Sequence, residues 1–137
     1  MLINAKNLIA GRLATYVAKQ ALNGETVDII NVESIIFTGS KSDILKKQMQ
    51  RTIRGHPYKG PFYERREDRF FKRLIRGMLP YKQERGRLAL KRIKCHVGVP
   101  DEFKDKKAET VPSADISKTK TLKYVRLGEI CRLIGKK

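Results

Sequence analysis

The chain has 137 residues, 40% of them hydrophobic and 33% charged, with a formal net charge of +17 at pH 7. One domain of this length buries roughly two-thirds of its unfolded surface, and the apolar fraction suffices for a core, which excludes a wholly disordered chain. No stretch approaches the ~20 apolar residues of a membrane span, and Met1–Ala10 is too short and mixed for a secretory signal, so a cytosolic, reducing setting is expected.

Met1–Lys6 reads as a short strand around Leu2 and Ile3. A helix follows over about 8–22, with Ile9, Leu13, Tyr16 and Val17 on one face and Arg12, Thr15 and Lys19 opposite. Asn23-Gly24 supplies its left-handed stop. Thr26–Val32 is a nearly continuous apolar run, suited to a strand covered on both faces of a parallel sheet. Strand, helix, strand at this spacing reads as a βαβ unit. Ile35–Thr38 is a third short strand, and Gly39–Asp43 opens a helix to about Gln50, capped by Ser40 or Ser42. Arg54–Arg66 contains Gly55, Pro57, Gly60 and Pro61 and reads as a loop.

Helical periodicity resumes near Arg69 and ends at Gly77. At about 100° per residue, Arg69, Lys72, Arg73 and Arg76 share one arc, and Phe70, Phe71, Leu74, Ile75 and Met78 fill the opposite one. The apolar arc is expected on the sheet and the basic arc toward a partner. A further helix is expected over Glu84–Lys94, then a last central strand at Cys95–Val99 and an irregular segment over Asp101–Ser117. Leu122–Val125 reads as extended. Leu127, Ile130, Cys131 and Ile134 mark a final helix. Cys95 and Cys131 form no CxxC pattern and read as small buried side chains or free thiols rather than a disulfide or metal site.

The charge is concentrated. Lys41 to Lys94 carries 18 Lys/Arg against 5 Asp/Glu, whereas the first 40 residues hold three of each and the last 43 hold ten against six. Like charges this crowded repel unless a polyanion neutralises them, so nucleic acid is the expected partner. Within the span, His56 through Arg66 alternates aromatic rings and cations on a chain made irregular by Gly and Pro. Such a segment suits unstacked bases and phosphates of RNA, although a loop whose rings anchor it to the core would carry the same composition.

Catalytic signatures are weak. Gly39-Ser40-Lys41-Ser42 resembles the end of a phosphate-binding loop, but Ser34 stands where that pattern needs glycine, and a capped helix start explains it better. Neither the His-x-Glu and Pro-Cys-x-x-Cys pair of zinc deaminases nor the Gly-x-Ser-x-Gly elbow of hydrolases occurs. Glu64, Glu67 and Asp68 lie among Arg65, Arg66 and Arg69, which reads as local charge compensation rather than an acid/base pair.

The motifs then converge. Arg76-Gly77-Met78-Leu79-Pro80 is followed by Arg85-Gly86 and by Ala89-Leu90-Lys91-Arg92-Ile93-Lys94. Upstream stand Gly11-Arg12-Leu13-Ala14, Val17-Ala18-Lys19-Gln20 and Gly60-Pro61-Phe62, and near the end Val111-Pro112 and Leu127-Gly128. In this order the chain resembles the universal large-subunit ribosomal protein thirteen family, in its archaeal and eukaryotic branch. The matches run from about Asn4 to Gly135. Where many members carry Ala-Pro-Ser, Arg66-Glu67-Asp68 stands here, with Asp68 able to cap the helix as serine would. Tyr81 replaces a histidine that often follows Gly-Met-Leu-Pro. The long carboxy-terminal extension of eukaryotic members has no counterpart, which points to an archaeal member.

The resemblance implies one α/β domain over residues 1–137, a three-layer α/β/α arrangement with a four-stranded, mainly parallel sheet. Basic RNA-binding elements are expected at 41–94 and a short carboxy-terminal segment at 101–137. It implies a structural constituent of the large ribosomal subunit, cytoplasmic, that binds large-subunit ribosomal RNA beside neighbouring ribosomal proteins. No cofactor, membrane or small-molecule substrate is implied. The alternatives are a free regulatory RNA-binder and a nucleic-acid-modifying enzyme. The expected phosphate contacts are Arg51, Arg54, Lys59, Arg65, Arg66, Arg69, Arg73, Arg76, Lys82, Arg85, Arg87 and Lys91, with His56 and Tyr58 for stacking.

Overall fold

Ile3, Val27, Ile29 and Ile93 are all fully buried, and they lie side by side because three strands pair in parallel. The computed structural model describes residues 1–135; Lys136 and Lys137, the end of the expected domain, lie outside the described residues. In chain order the elements are β1 (Leu2–Asn4), α1 (Ala10–Leu22), β2 (Val27–Ile30), β3 (Ile36–Thr38), α2 (Lys41–Ile53), α3 (Glu67–Arg76), α4 (Glu84–Lys91), β4 (Ile93–Cys95), β5 (Tyr124–Arg126) and α5 (Leu127–Leu133). Short 3₁₀ turns stand at Val32–Ser34, Asp101–Phe103, Pro112–Ala114 and Ile116–Lys118.

The parallel sheet has the order β1-β2-β4, with Ile3 opposite Ile29 and Val27 opposite Ile93. Both crossovers step the same way, so right-handed connections put their helices on the same face. Accordingly α1 packs against both α3 and α4. Leu13, Ala14, Val17, Ala18 and Ala21 are the buried stripe of α1, at the spacing that closes one helical face. Gly24, at φ +105°, turns the chain out of that helix. From α3 the core receives Phe70, Phe71 and Ile75, each contributing about 1.5–3 kcal/mol when fully buried. The opposite face carries Asp28 and His96, which meet at 3.3 Å, with Phe103 from the Asp101–Phe103 turn against the His96 ring at 5.4 Å. Asp28 and His96 are partly buried there and Ile30, which shares their face of β2, is buried, so β2 is covered on both faces, more thinly on this one.

Three strands form this sheet where four were expected. Asn31 adopts a left-handed φ of 57°, and the Val32–Ser34 turn follows directly. Asparagine tolerates that conformation better than most residues. The chain therefore swings away, and β3 pairs antiparallel with β5, with Phe37 opposite Val125. At the free edge of β1 a single parallel bridge joins Ile3 to Glu109. β4 also differs from expectation: it spans Ile93–Cys95 rather than Cys95–Val99 and lies at the sheet edge, because its register is set by pairing with Val27–Ile29. The Val111-Pro112 pair opens a 3₁₀ turn whose Ala114 carbonyl accepts from Ile9 N–H at 2.8 Å, holding the entry to α1. In α5, Leu127, Ile130 and Cys131 are buried, and Ile134 follows in the core.

Candidate nucleic-acid interface

The basic span builds an arm on this body. Along α2 only Gln48 is buried; Met49 is 49% and Ile53 79% exposed. Ser40 occupies the N-cap position, but its side chain makes no capping bond. Gly55, at φ +113°, turns the chain after α2. His56 and Gly60 then exchange backbone hydrogen bonds of 3.0 and 2.8 Å, closing a small loop. A Cβ on Gly55 would stand 2.6 Å from the Gly60 oxygen, so the loop closes only over a glycine. Its tip presents Pro57, Tyr58 and Lys59 to solvent, with Tyr58 88% exposed. The Tyr58 N–H donates to His56 Nδ1 at 3.2 Å, and the two rings lie 5.9 Å apart.

The returning segment packs on α3. In extended chain, neighbours point to opposite sides; Phe62 is exposed and Tyr63 half-buried. The Arg73 guanidinium lies 4.4 Å from the centroid of the Tyr63 ring and donates to the Phe62 carbonyl at 3.0 Å. Tyr63 in turn donates its hydroxyl to Gln48 Oε1 at 3.1 Å and meets Phe70 edge-on at 5.9 Å. These contacts tie α2, residues 61–63 and α3 around a cleft of about 450 Å³, lined by Gln48, Arg51, Arg54, Pro61, Tyr63, Phe70, Arg73, Leu74 and Gly77.

The expected contact residues divide. Arg51, Arg54 and Arg73 line the cleft, and His56, Tyr58 and Lys59 sit at the loop tip. Arg65 donates to the Gly135 carbonyl at 3.3 Å. Arg66 pairs with Asp68 and Arg69 with Glu64, each at 3.2 Å. Local compensation is therefore what Glu64 and Asp68 provide, though such exposed pairs contribute only ~0–1 kcal/mol each. Asp68 does not cap α3: Arg66 holds the N-cap position and Asp68 lies in the first turn. Arg76 lies 5.2 Å from the Tyr81 ring. None of Lys82, Arg85, Arg87 and Lys91 lines the cleft. All four are exposed, and Arg87 and Lys91 are spaced i,i+4 on α4, one turn apart on the same side. Arg85 borders a hollow with Lys19 and Met78.

Two side chains correct the reading of α3. Lys72 leaves the basic arc and donates to the Ile93 carbonyl at 2.6 Å, half-buried against β4. Met78 lies beyond the helix end and is exposed rather than packed on the sheet. Tyr63 is the residue that sequence reasoning passed over. Its signal was there: it neighbours Phe62 in an extended segment, where one ring must face inward. Among the described residues no three His, Cys, Asp or Glu side chains cluster as metal ligands, and no helix is long and apolar enough to cross a membrane.

Known proteins share this chain's pattern. The family described as Ribosomal protein L13 matches residues 1–102. The large ribosomal subunit protein uL13 of Methanosarcina barkeri is 46% identical over 136 residues, covering 98% of this chain and 97% of that protein. Its counterpart in Methanopyrus kandleri is 46% identical over 135 residues, covering 97% and 85%. That of Archaeoglobus fulgidus is 40% identical over 134 residues, covering 97% and 86%. With the motifs in register from end to end and archaeal relatives aligned over nearly the whole length, this chain belongs to the ribosomal protein L13 family.

Proposed function

We propose that the chain is a structural, non-enzymatic constituent of the large ribosomal subunit, acting in the cytoplasmic ribosome, where it binds and helps organise large-subunit ribosomal RNA beside neighbouring ribosomal proteins. The observation that carries the reading is the set of exposed cations with no side-chain partner among the described residues. Arg51, Arg54, Lys59, Lys82, Arg85, Arg87 and Lys91 all belong to it, on a chain whose relatives are named as large-subunit proteins. Cations left unpaired by the protein are available to phosphates, and each phosphate contact releases counterions.

In this reading the parallel sheet is the middle layer, with α1, α3 and α4 on one side and the Asp101–Phe103 turn on the other. Residues 41–94 supply the RNA-facing elements. Cations on α2, the 54–66 loop and α4 neutralise RNA segments that would otherwise repel one another. Arg66 and Arg69 each have part of their charge offset by a neighbouring carboxylate, so their contribution is smaller than that of Arg51 or Arg87. Glu64 and Asp68 are engaged by arginines, which argues against an acid/base pair and against the enzyme alternative.

Sedimentation of native lysate tests the proposal. The protein is expected with large subunits at low salt and released at high salt. A pool found mainly free at low salt, with intact ribosomes present, overturns it in favour of a free regulatory RNA-binder.

A further inference from the structure

We infer that the cleft between α2 and α3 captures one unpaired nucleotide of the bound RNA, its base laid on the Arg73–Tyr63 stack and its phosphate held by Arg51 and Arg54. The inference rests on the RNA-binding reading above and specifies what the RNA must offer at this point: a nucleotide extruded from its helix.

Shape comes first. The cleft is concave, and its volume of about 450 Å³ lies in the range that small ligands fill. The convex backbone of an RNA duplex contacts such a surface only at its rim, and the paired bases stay out of reach. Chemistry follows. Arg73 is already held, by the Tyr63 ring at 4.4 Å and the Phe62 carbonyl at 3.0 Å. A fixed guanidinium plane is a stacking platform that loses little further freedom when a base lies on it, and RNA bases stack on both guanidinium planes and aromatic rings. Phe70 and Leu74 supply an apolar wall beside it.

Charge completes the case. Arg51 and Arg54 are three residues apart at the end of α2, so their side chains share one side. Neither guanidinium has a hydrogen-bond or ion-pair partner among the described residues, and no carboxylate lines the cleft. Three arginines around one hollow repel one another unless an anion enters. A nucleotide brings a planar group for the stack and an anion for the pair. An acidic peptide without aromatic side chains brings only the anion.

The test uses full-length protein with a mixed-sequence single-stranded oligoribonucleotide carrying 2-aminopurine, whose fluorescence falls on stacking, and the same sequence fully paired as a duplex. Wild-type protein is expected to quench the single strand. Arg73→Lys keeps the charge and loses the plane. It is expected to abolish the quench and weaken single-strand binding about tenfold, with a smaller loss of duplex affinity and, because the charge is kept, the same salt slope. Arg51→Gln with Arg54→Gln, two exposed positions, removes the grip on that one phosphate and is expected to reduce the single-strand salt slope by about 0.7 while retaining the quench at saturation. Urea unfolding verifies that each variant is folded. Quenching by Arg73→Lys equal to wild type overturns the inference, as does displacement of the oligonucleotide by poly-glutamate as effectively as by unlabelled RNA. Wild-type protein that binds large-subunit RNA with steep salt dependence yet leaves 2-aminopurine unquenched overturns the inference alone. Protein that binds neither RNA overturns the RNA-binding reading with it.

Discussion

A Cβ on Gly86 would stand 2.1 Å from the carbonyl oxygen of Pro80. No side chain fits at that distance, so the first turn of α4 approaches the turn after α3 only because residue 86 has none. Gly86 is buried within the helix and its φ is not positive; space, not backbone freedom, is the reason for glycine here. The spacing from Arg76-Gly77-Met78-Leu79-Pro80, the most specific motif in the chain, to Arg85-Gly86 is thus a packing relation between the turn after α3 and the first turn of α4.

Gly86→Ala is expected to destabilise the protein by about 1–3 kcal/mol, the usual range for overpacking. In an unobstructed helix the same change stabilises by ~1 kcal/mol, so urea denaturation gives a clear sign. A stabilised variant would show that the Pro80 turn yields freely.

The two sides of α3 are expected to separate stability from binding. Phe71, fully buried, should cost about 3–5 kcal/mol on truncation to Ala. Leu74 is only half-buried at the cleft, so Leu74→Ala should fall below the ~2 kcal/mol floor of a fully buried leucine. Arg76→Gln should leave stability within about 0.5 kcal/mol and lower the salt slope of ribosomal RNA binding by ~0.7–0.9. Unchanged affinity and slope in that variant would place Arg76 on a solvated face.

Hydrogen exchange should grade the arm. Amides of Val27–Ile30, central in the sheet, are expected to be the slowest. Those of residues 54–66 should exchange fast in the free protein and slow on RNA, because the segment buries little and its cations repel. His56 and Gly60, which exchange backbone bonds, should be the slowest within the loop. Protection across 54–66 equal to that of β2 before RNA is added would mean that no ordering accompanies binding.

Burial pushes the Cys95 thiol up to about 12, against a smaller opposing effect of Lys72. The native state therefore keeps the proton over a range where the unfolded chain, with an ordinary thiol near 8.5, has lost it. The contribution to stability is full below the unfolded value and declines as pH rises from there toward 12. At pH 8 a thiol reagent should react slowly with native protein, where Cys95 is only partly accessible and Cys131 is buried, and rapidly with both cysteines in urea. Rapid modification of native Cys95 at that pH would contradict its raised pKa.

Local signals sufficed where an element carries its own pattern. The apolar run at β2, the stripe and Gly24 stop of α1, and the spacing of Leu127, Ile130 and Cys131 all led to the elements observed. The misreadings share a cause. Ile93 continues the apolar pattern of α4, yet it belongs to β4, because pairing with Val27 decides the matter and a pairing partner is invisible along the chain. β3 left the expected sheet at Asn31, whose left-handed backbone is one option among several for asparagine. For the interface, the excess of cations was legible as a count, but their partners were not. Lys72 turned to a backbone carbonyl, Arg66 and Arg69 to carboxylates, and Arg73 to a tyrosine face, each set by tertiary proximity.

The strand order constrains synthesis. β1 and β2 are complete by Ile30, but the third strand of the sheet, Ile93–Cys95, follows the entire Lys41–Lys94 segment. At translation rates of about 5–20 residues per second, roughly 3–10 s separate the emergence of Lys41 from that of Cys95. During that interval the nascent chain trails a polycation from an unfinished sheet, within reach of every RNA nearby. The helices of the segment form locally on the microsecond scale, whereas Ile93 reaches Val27 only when the last of it has left the exit tunnel. Closure of the sheet therefore has to compete with nonspecific capture for as long as the third strand is still to come.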